Sequence, residues 1–391
     1  MSKTEIRKEF LPYSLPMIEE EEINEVTAAL KSGWIAKGPR TIELEKRFAE
    51  FVGAKHAIAM NSCTAALHIA LIAAGVGPGD EVITTPMTFS ATANTIIHAG
   101  ATPVFVDIDP ETFCIDPAKI EEKITDRTKA IVPVHYSGQA CNMDEIRRIA
   151  KKHNLFVSED AAHAIYTEYK GKFIGAEGTA ACFSFYATKN LATGEGGMLT
   201  TNADDIAEKA RVLSCHGMTK AAWNRYGKGG NWRYDIEYPG YKYNMFDIQA
   251  ALGLRQLDKI HRMQERREEI ARVYNEVFGA MPQLIIPEAP SYAKHSWHLY
   301  VLQLDLSRLT IDRDKFIEEM GIENIGVSVH FIPVHLMSYY VNTYGYKRGD
   351  FPITEAYFDR ILSLPLYPSM TDEDVEDVIY AVKRIAEKYS K

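Results

Sequence analysis

Residues 81–109 read EVITTPMTFSATANTIIHAGATPVFVDID. EVITT is short and apolar, FSATANTIIHAG has helical spacing and a closing glycine, and TPVFVDID is strand-like again. The same alternation extends to both sides. HAIAM (56–60) predicts a strand and TAALHIALIAAG (64–75) a helix. KAIVPVHY (129–136) leads through the helical MDEIRRIAKKHN (143–154) to LFVSED (155–160). Short apolar strands separated by helices define an α/β chain whose central sheet is mostly parallel and covered on both faces.

Working outward, an amphipathic helix is expected over Ile18–Leu30 and a second through Phe51, ended by Gly53. ACFSFY (181–186) and GMLTTN (197–202) are two more strands, and helical spacing runs from Met245 to Phe278. Beyond Pro287 the pattern becomes strand (SWHLYVLQLD, 296–305), helix (RDKFIEEMG, 313–321), strand (NIGVSVHFI, 324–332) and a final helix (372–389). The expected organisation is a large sheet domain, residues 1–255, followed by a smaller C-terminal α+β domain, residues 256–391.

The 391 residues carry 53 acids against 44 bases, a formal charge of −9, which argues against a general nucleic-acid binder. The first fifteen residues lack the apolar core of a signal peptide, and no apolar run approaches the ~18–20 residues that span a bilayer. A cytoplasmic protein without a membrane partner is expected. Five scattered cysteines with no CxxC suggest buried thiols, and the pairs His295/His298 and His330/His335 lack a third ligand, so no metal site is expected.

The chemistry gathers around FSFYATKNLATGEGGML (183–199), where Lys189 stands between a buried strand and a glycine-rich turn. A lysine at a strand end can simply snorkel to water. Ligands of parallel sheets, however, collect at the carboxyl ends of strands. One such end is LFVSEDAAHA, with Asp160 and His163; another is NSCTAAL (61–67), where a strand runs into a helix N-terminus, an anion site with Ser62 and Thr64 hydroxyls at hand. Each alone is equally a helix cap. Together they supply what pyridoxal phosphate requires: a lysine to carry it, a carboxylate for its ring nitrogen and donors for its phosphate. A desolvated lysine has the lowered pKa that a nucleophile and base needs. GEGG (194–197) and GKGG (227–230) lack the GxGxxG spacing of a dinucleotide fold.

EDAAHA, SFYATKN with GEGGML, and GYKYNMFDIQAALG (240–253) resemble the sugar aminotransferases of the DegT/DnrJ/EryC1/StrS family. SGWIAKGPR (32–40), GDEVITTPMTFSATANTI (79–96), VSVHFIPVH (327–335) and LSLPLYPSMTDED (362–374) extend the resemblance over nearly the whole chain. Within the family it is most similar to the members that form UDP-4-amino-4-deoxy-L-arabinose. The resemblance implies the fold type I of pyridoxal-phosphate transferases, like aspartate aminotransferase. It implies that Lys189 carries the cofactor, Asp160 pairs with the ring nitrogen, His163 meets the ring hydroxyl and Phe89 stacks on the ring. Cys63, Thr64 and Ser184 are implied to hold the phosphate, with Asn244 and Lys242 arriving from a neighbouring subunit; many relatives have Asn and Arg where this chain has Lys242 and Asn244. A homodimer with shared sites follows.

Retention of Lys189 favours amino transfer over the family's dehydratases, in which histidine replaces the lysine. The implied reaction moves the amino group of L-glutamate, leaving 2-oxoglutarate, to a nucleotide-linked keto sugar, with the fourth carbon the expected position. Alternatives are a sugar dehydratase, another aminotransferase of this fold, or a sensor that only binds the cofactor. Trp34, Lys37, Tyr186 and His330 are candidate substrate contacts. Lipid A modification, O-antigen, capsule and surface-protein glycosylation are all compatible destinations for the product.

Overall fold

A computed structural model describes residues 6–218 and 234–391; the GKGG stretch falls outside them. The expected alternation forms strands β1 (His56–Met60), β2 (Glu81–Thr84), β3 (Thr102–Phe105), β4 (Thr128–Ile131) and β5 (Phe156–Asp160). A two-residue-per-arm hairpin, β6 (Glu168–Tyr169) and β7 (Lys172–Phe173), then precedes β8 (Ala180–Ser184) and β9 (Gly197–Thr201). Seven of these make one sheet in the order β1-β9-β8-β5-β4-β2-β3. The pairs from β3 across to β8 are parallel, whereas β9 runs antiparallel to both its neighbours. That reversal matters for the site. An antiparallel neighbour accepts a direct loop where a parallel one needs a long crossover, so the chain leaving β8 turns at once, with Lys189 in the turn.

Helices cover the sheet where the apolar spacing predicts them. Pro39–Val52 begins with its proline in the first turn and stops at Gly53, whose φ of 80° is the left-handed cap that glycine adopts without strain. Cys63–Ala73 is apolar on nearly every face and is buried against the sheet. The long run from Met245 is two helices, Asp247–Asp258 and Ile260–Phe278, broken at Lys259. Lys259 Nζ reaches Glu22 at 2.7 Å and Glu19 at 3.0 Å, tying the break to the first helix, Glu20–Ser32. The first half therefore packs on the sheet core and the second continues into another core.

That second core is built on a three-stranded sheet of β10 (Leu284–Ile285), β12 (Tyr300–Leu304) and β13 (Ile361–Leu364); β11 (Ala293–Lys294) instead joins the β6–β7 hairpin. Tyr274, Phe278, Tyr300, Leu302, Phe316, Val378 and Val382 are fully buried there, each worth roughly 1.5–3 kcal/mol of burial. Leu11 joins them and bridges Ile325, while Arg7 meets Asp374 at 2.6 Å, so the N-terminal residues cross onto this part. The strand expected over residues 324–332 does not form. Residues 325–328 make only single bridges, to Leu11 and, at the edge of β13, to Ser363. Freed from a ladder, His330 and Phe331, just beyond, reach the cleft described below.

Candidate active site

Three carboxyl-terminal strand ends meet in a cleft of about 520 Å³. Cys63, Thr64, Phe89, Asp160, His163, Ser184, Lys189, Tyr186 and His330 all line it. Asn244, Lys242, Trp34 and Lys37 do not.

Lys189 lies in the β8–β9 turn, and desolvation pushes its amine down to about 8. Among the described residues the only hydrogen-bond partner of that amine is His298 Nε2, 3.5 Å from Nζ. Asp160 ends β5 and is 5% exposed. Thr92 Oγ1 donates to its Oδ2 at 2.7 Å and the Ala162 N–H to its Oδ1 at 3.1 Å. Burial still raises its pKa, outweighing these two donors and the charge of nearby Lys189. His163 accepts the Ser137 N–H on Nδ1 at 3.2 Å, and burial, with Lys189 and His330 nearby, keeps the ring neutral. The ring proton therefore sits on Nε2. Phe331 lies near-parallel to it, centroids 5.7 Å apart.

The helix Cys63–Ala73 begins at the cleft. Ser62 Oγ takes the Ala65 N–H, and the N–H groups of Cys63 and Thr64 have no acceptor within the helix. A side chain at Gly197 would place its Cβ 2.4 Å from Cys63 N and Ser62 C, so glycine alone lets β9 lie against this turn. The Cys63 thiol donates to Cys182 O at 3.3 Å, and burial pushes its pKa up; its main chain, not its sulfur, is what the residue offers to an anion. Ser184 Oγ accepts the Tyr186 N–H at 3.3 Å. Phe89 stands at the rim, 59% exposed, its ring 5.8 Å from that of Phe331. His330 Nδ1 lies 2.9 Å from Ser363 Oγ, and its pKa falls to about 3 through burial and Lys189.

The remaining candidates lie elsewhere. Asn244 bridges Met60 and donates to Met245 O at 3.1 Å; Lys242 beside it is exposed. Trp34 is 54% exposed in the turn between the first two helices. Lys37 pairs with Glu45 at 2.9 Å in a separate cavity of about 440 Å³, not in this cleft. Sequence reasoning missed Thr92, His298, Phe331 and Glu195, which also line the cleft. Thr92 and Phe331 carried no distinguishing signal, since each sat inside an expected helix or strand. His298 was visible, but only as half of an HxxH pair; among the described residues no group of metal ligands assembles around it.

A pyridine ring with a phosphate fits these residues. A ring nitrogen would give Asp160 the positive partner it lacks, the His163 Nε2–H is free to meet a ring hydroxyl, and the helix N-terminus is built for a phosphate. The fold and cleft together are those of a pyridoxal-phosphate-dependent transferase.

Comparison with known proteins sharpens this. The DegT/DnrJ/EryC1/StrS aminotransferase family matches residues 16–383. The chain is 61% identical to the spore coat polysaccharide biosynthesis protein SpsC of Bacillus subtilis, over 97% of this chain and 98% of that one. The PLP-form structure of the putative sugar aminotransferase Spr1654 from Streptococcus pneumoniae superposes with a TM-score of 0.90 at 36% identity, covering 97% of this chain and 99% of that one. PseC of Helicobacter pylori, an aminotransferase involved in pseudoaminic acid biosynthesis, gives 0.90 at 31%, covering 98% and 100%. The chain belongs to the DegT/DnrJ/EryC1/StrS aminotransferase family.

Proposed function

We propose that this protein is a pyridoxal 5′-phosphate-dependent sugar aminotransferase that moves the amino group of L-glutamate to a nucleotide-linked keto sugar. The observation that carries the reading is one cleft holding a desolvated lysine, a buried carboxylate with no direct ion pair and a neutral histidine. The Spr1654 structures, in PLP and PMP forms, support the cofactor. When bound, that cofactor accepts the electron pair released at the donor carbon.

The chain supplies the rest. Lys189 holds the cofactor covalently and, once displaced, moves a proton from the α-carbon of glutamate with Nζ; a pKa of about 8 leaves a useful neutral fraction near neutral pH. Asp160, oriented by Thr92 and Ala162, keeps the ring nitrogen protonated. His163 would donate from Nε2 to the ring hydroxyl, Phe89 would cover the ring, and the Cys63 and Thr64 N–H groups with Ser184 would hold the phosphate. Once water has released 2-oxoglutarate, the same lysine would return a proton, in the reverse sense, to the carbon of the keto sugar. Tyr186 and His330 stand where the sugar would lie.

We further assign a homodimer with shared sites. Lys189 is the only lysine lining the cleft among the described residues, and no arginine lines it, although a phosphate and two donor carboxylates need cations. Lys242 and Asn244, outside their own cleft, are our candidates to complete that of the neighbour. Ile23, Leu30, Trp34, Ile35 and Ile42 are exposed on the first two helices and the turn between them, an apolar face for a second copy. We place the domain division at residues 255/256, with the N-terminal residues strapped across it.

For the substrate, a UDP-linked 4-keto sugar is our first candidate, with the arabinose type suggested by motif resemblance. The polysaccharide role named for SpsC points more broadly to activated sugars of a surface polysaccharide. Such a pathway starts in the cytoplasm, and no helix among the described residues is long and apolar enough to cross a membrane. The test is the visible absorption of the cofactor-loaded protein. The band should bleach with L-glutamate and return when a nucleotide-linked 4-keto sugar is added. Absence of a band after reconstitution refutes the cofactor assignment, and a band indifferent to glutamate refutes the donor.

A further inference from the structure

His298 is not explained by the roles above, yet it is the residue that touches Lys189. It is 5% exposed, at the approach to β12, with Nε2 3.5 Å from Lys189 Nζ and Nδ1 3.1 Å from Asn190 Oδ1. Asn190 follows Lys189 in the chain and is equally buried. Its amide cannot be reversed at no cost: Nδ2 donates to Ser296 O at 3.0 Å and to Ile165 O at 3.4 Å, and turning it would set an oxygen against two carbonyls. Oδ1 must therefore face His298, and an oxygen acceptor there requires the imidazole proton on Nδ1. In the neutral ring that leaves Nε2 as a bare acceptor aimed at the lysine.

We propose that His298 is a positioning residue for Lys189, its tautomer set by Asn190, so that Nε2 accepts a hydrogen bond from the lysine amine. The reading of Lys189 as the reacting amine underlies this inference. A neutral amine that donates one N–H to His298 has its lone pair turned away from that ring, which restricts the directions from which it can take the substrate proton. The arrangement uses no additional charge. Protonating His298 would turn the acceptor into a donor facing the lysine; burial, Lys189, His163, Arg267 and His330 all oppose it. The same sequence neighbours thus serve two ends: Lys189 reacts, and Asn190 holds the ring that aims it.

Two measurements test the proposal. In full-length, cofactor-loaded protein labelled with nitrogen-15 histidine, long-range proton–nitrogen spectra should show His298 protonated on Nδ1 and bare on Nε2, its signals identified by their loss in His298→Gln. In Asn190→Ala that preference should weaken. In kinetics, His298→Leu should lower kcat by about 10²-fold with the KM for L-glutamate unchanged, whereas His298→Gln, which can present an oxygen to the lysine, should stay within about tenfold of the parent. A His298 protonated on Nε2, or a His298→Leu enzyme as fast as the parent, overturns the proposal. If the leucine variant does not fold, the tautomer of the unsubstituted protein still decides. Turnover by Lys189→Ala would refute the underlying assignment instead, so the two failures are distinct.

Discussion

The cleft around Lys189 and the cavity beside Lys37 have similar volumes, about 520 and 440 Å³, and both are lined by ionisable groups. In the Lys37 cavity most of the charges are paired. Glu45 receives Lys37 at 2.9 Å, Arg211 at 3.0 Å and the Ala59 N–H at 3.0 Å, while Lys55 and His56 both reach Asp204 at 2.7 Å. In the cleft they are not. Lys189 faces a neutral ring and Asp160 accepts only from a hydroxyl and an amide. Charges that are paired within the chain hold the fold together; buried ones left without a partner are stabilised fully only by a ligand that brings the complementary groups.

Substitutions can break this contrast at several points. The largest effect belongs to Lys189→Ala: turnover should disappear, while the melting temperature holds or rises because a desolvated amine is removed from the cleft, as activity assays and thermal unfolding would show. Asp160→Asn keeps the side-chain shape but loses the charge. Turnover should fall about 10²–10³-fold, with a shifted cofactor absorption band as an independent readout. In the other cavity the currency is stability. Glu45→Gln should cost about 2 kcal/mol in denaturant unfolding, less than the 3–5 kcal/mol of fully buried pairs because Arg211 is 35% exposed.

Smaller effects sharpen the comparison. Labelling of Lys189 in cofactor-free protein by an amine reagent, followed by mass spectrometry, should rise with pH through about 8 rather than near the ordinary lysine value of 10.5. The sign follows from desolvation: the folded state gives up the proton before the unfolded state does, so stability also rises with pH between those values. The smallest expected change is Lys37→Met, about 1 kcal/mol of stability with the KM for the sugar unaltered. A raised KM with unchanged stability would instead make Lys37 a substrate contact.

The strands that carry the site were legible because they are buried on both faces, which leaves short continuous apolar runs in the sequence. β1 spans HAIAM to the residue, and β5 ends at Asp160 as expected. Elements of the second core were less legible. The helical spacing through Met245–Phe278 gave no sign of the break at Lys259, which depends on Glu19 and Glu22, some 240 residues away in the chain. The β-like pattern of NIGVSVHFI misled because apolar alternation reports burial and not pairing: the segment meets the edge of β13 only through Ser328 and Ser363. His298 shows a third kind of illegibility. Its spacing from His295 suggested at most a weak metal motif, but the rings part: His295 Nδ1 accepts the Trp297 N–H at 2.8 Å, while His298 turns to the lysine.

Local sequence therefore determined the α/β class, the strand ends that meet at the cleft and the choice of Lys189, Asp160 and His163 as candidates, because apolar periodicity and motif spacing are properties of contiguous residues. Tertiary structure alone decided which ionisable groups go unpaired, which tautomer His298 adopts and that Thr92 steadies Asp160. Those depend on atoms brought together from distant parts of the chain, 68 residues apart for Thr92 and Asp160 and 109 for Lys189 and His298, and on how far packing removes them from water.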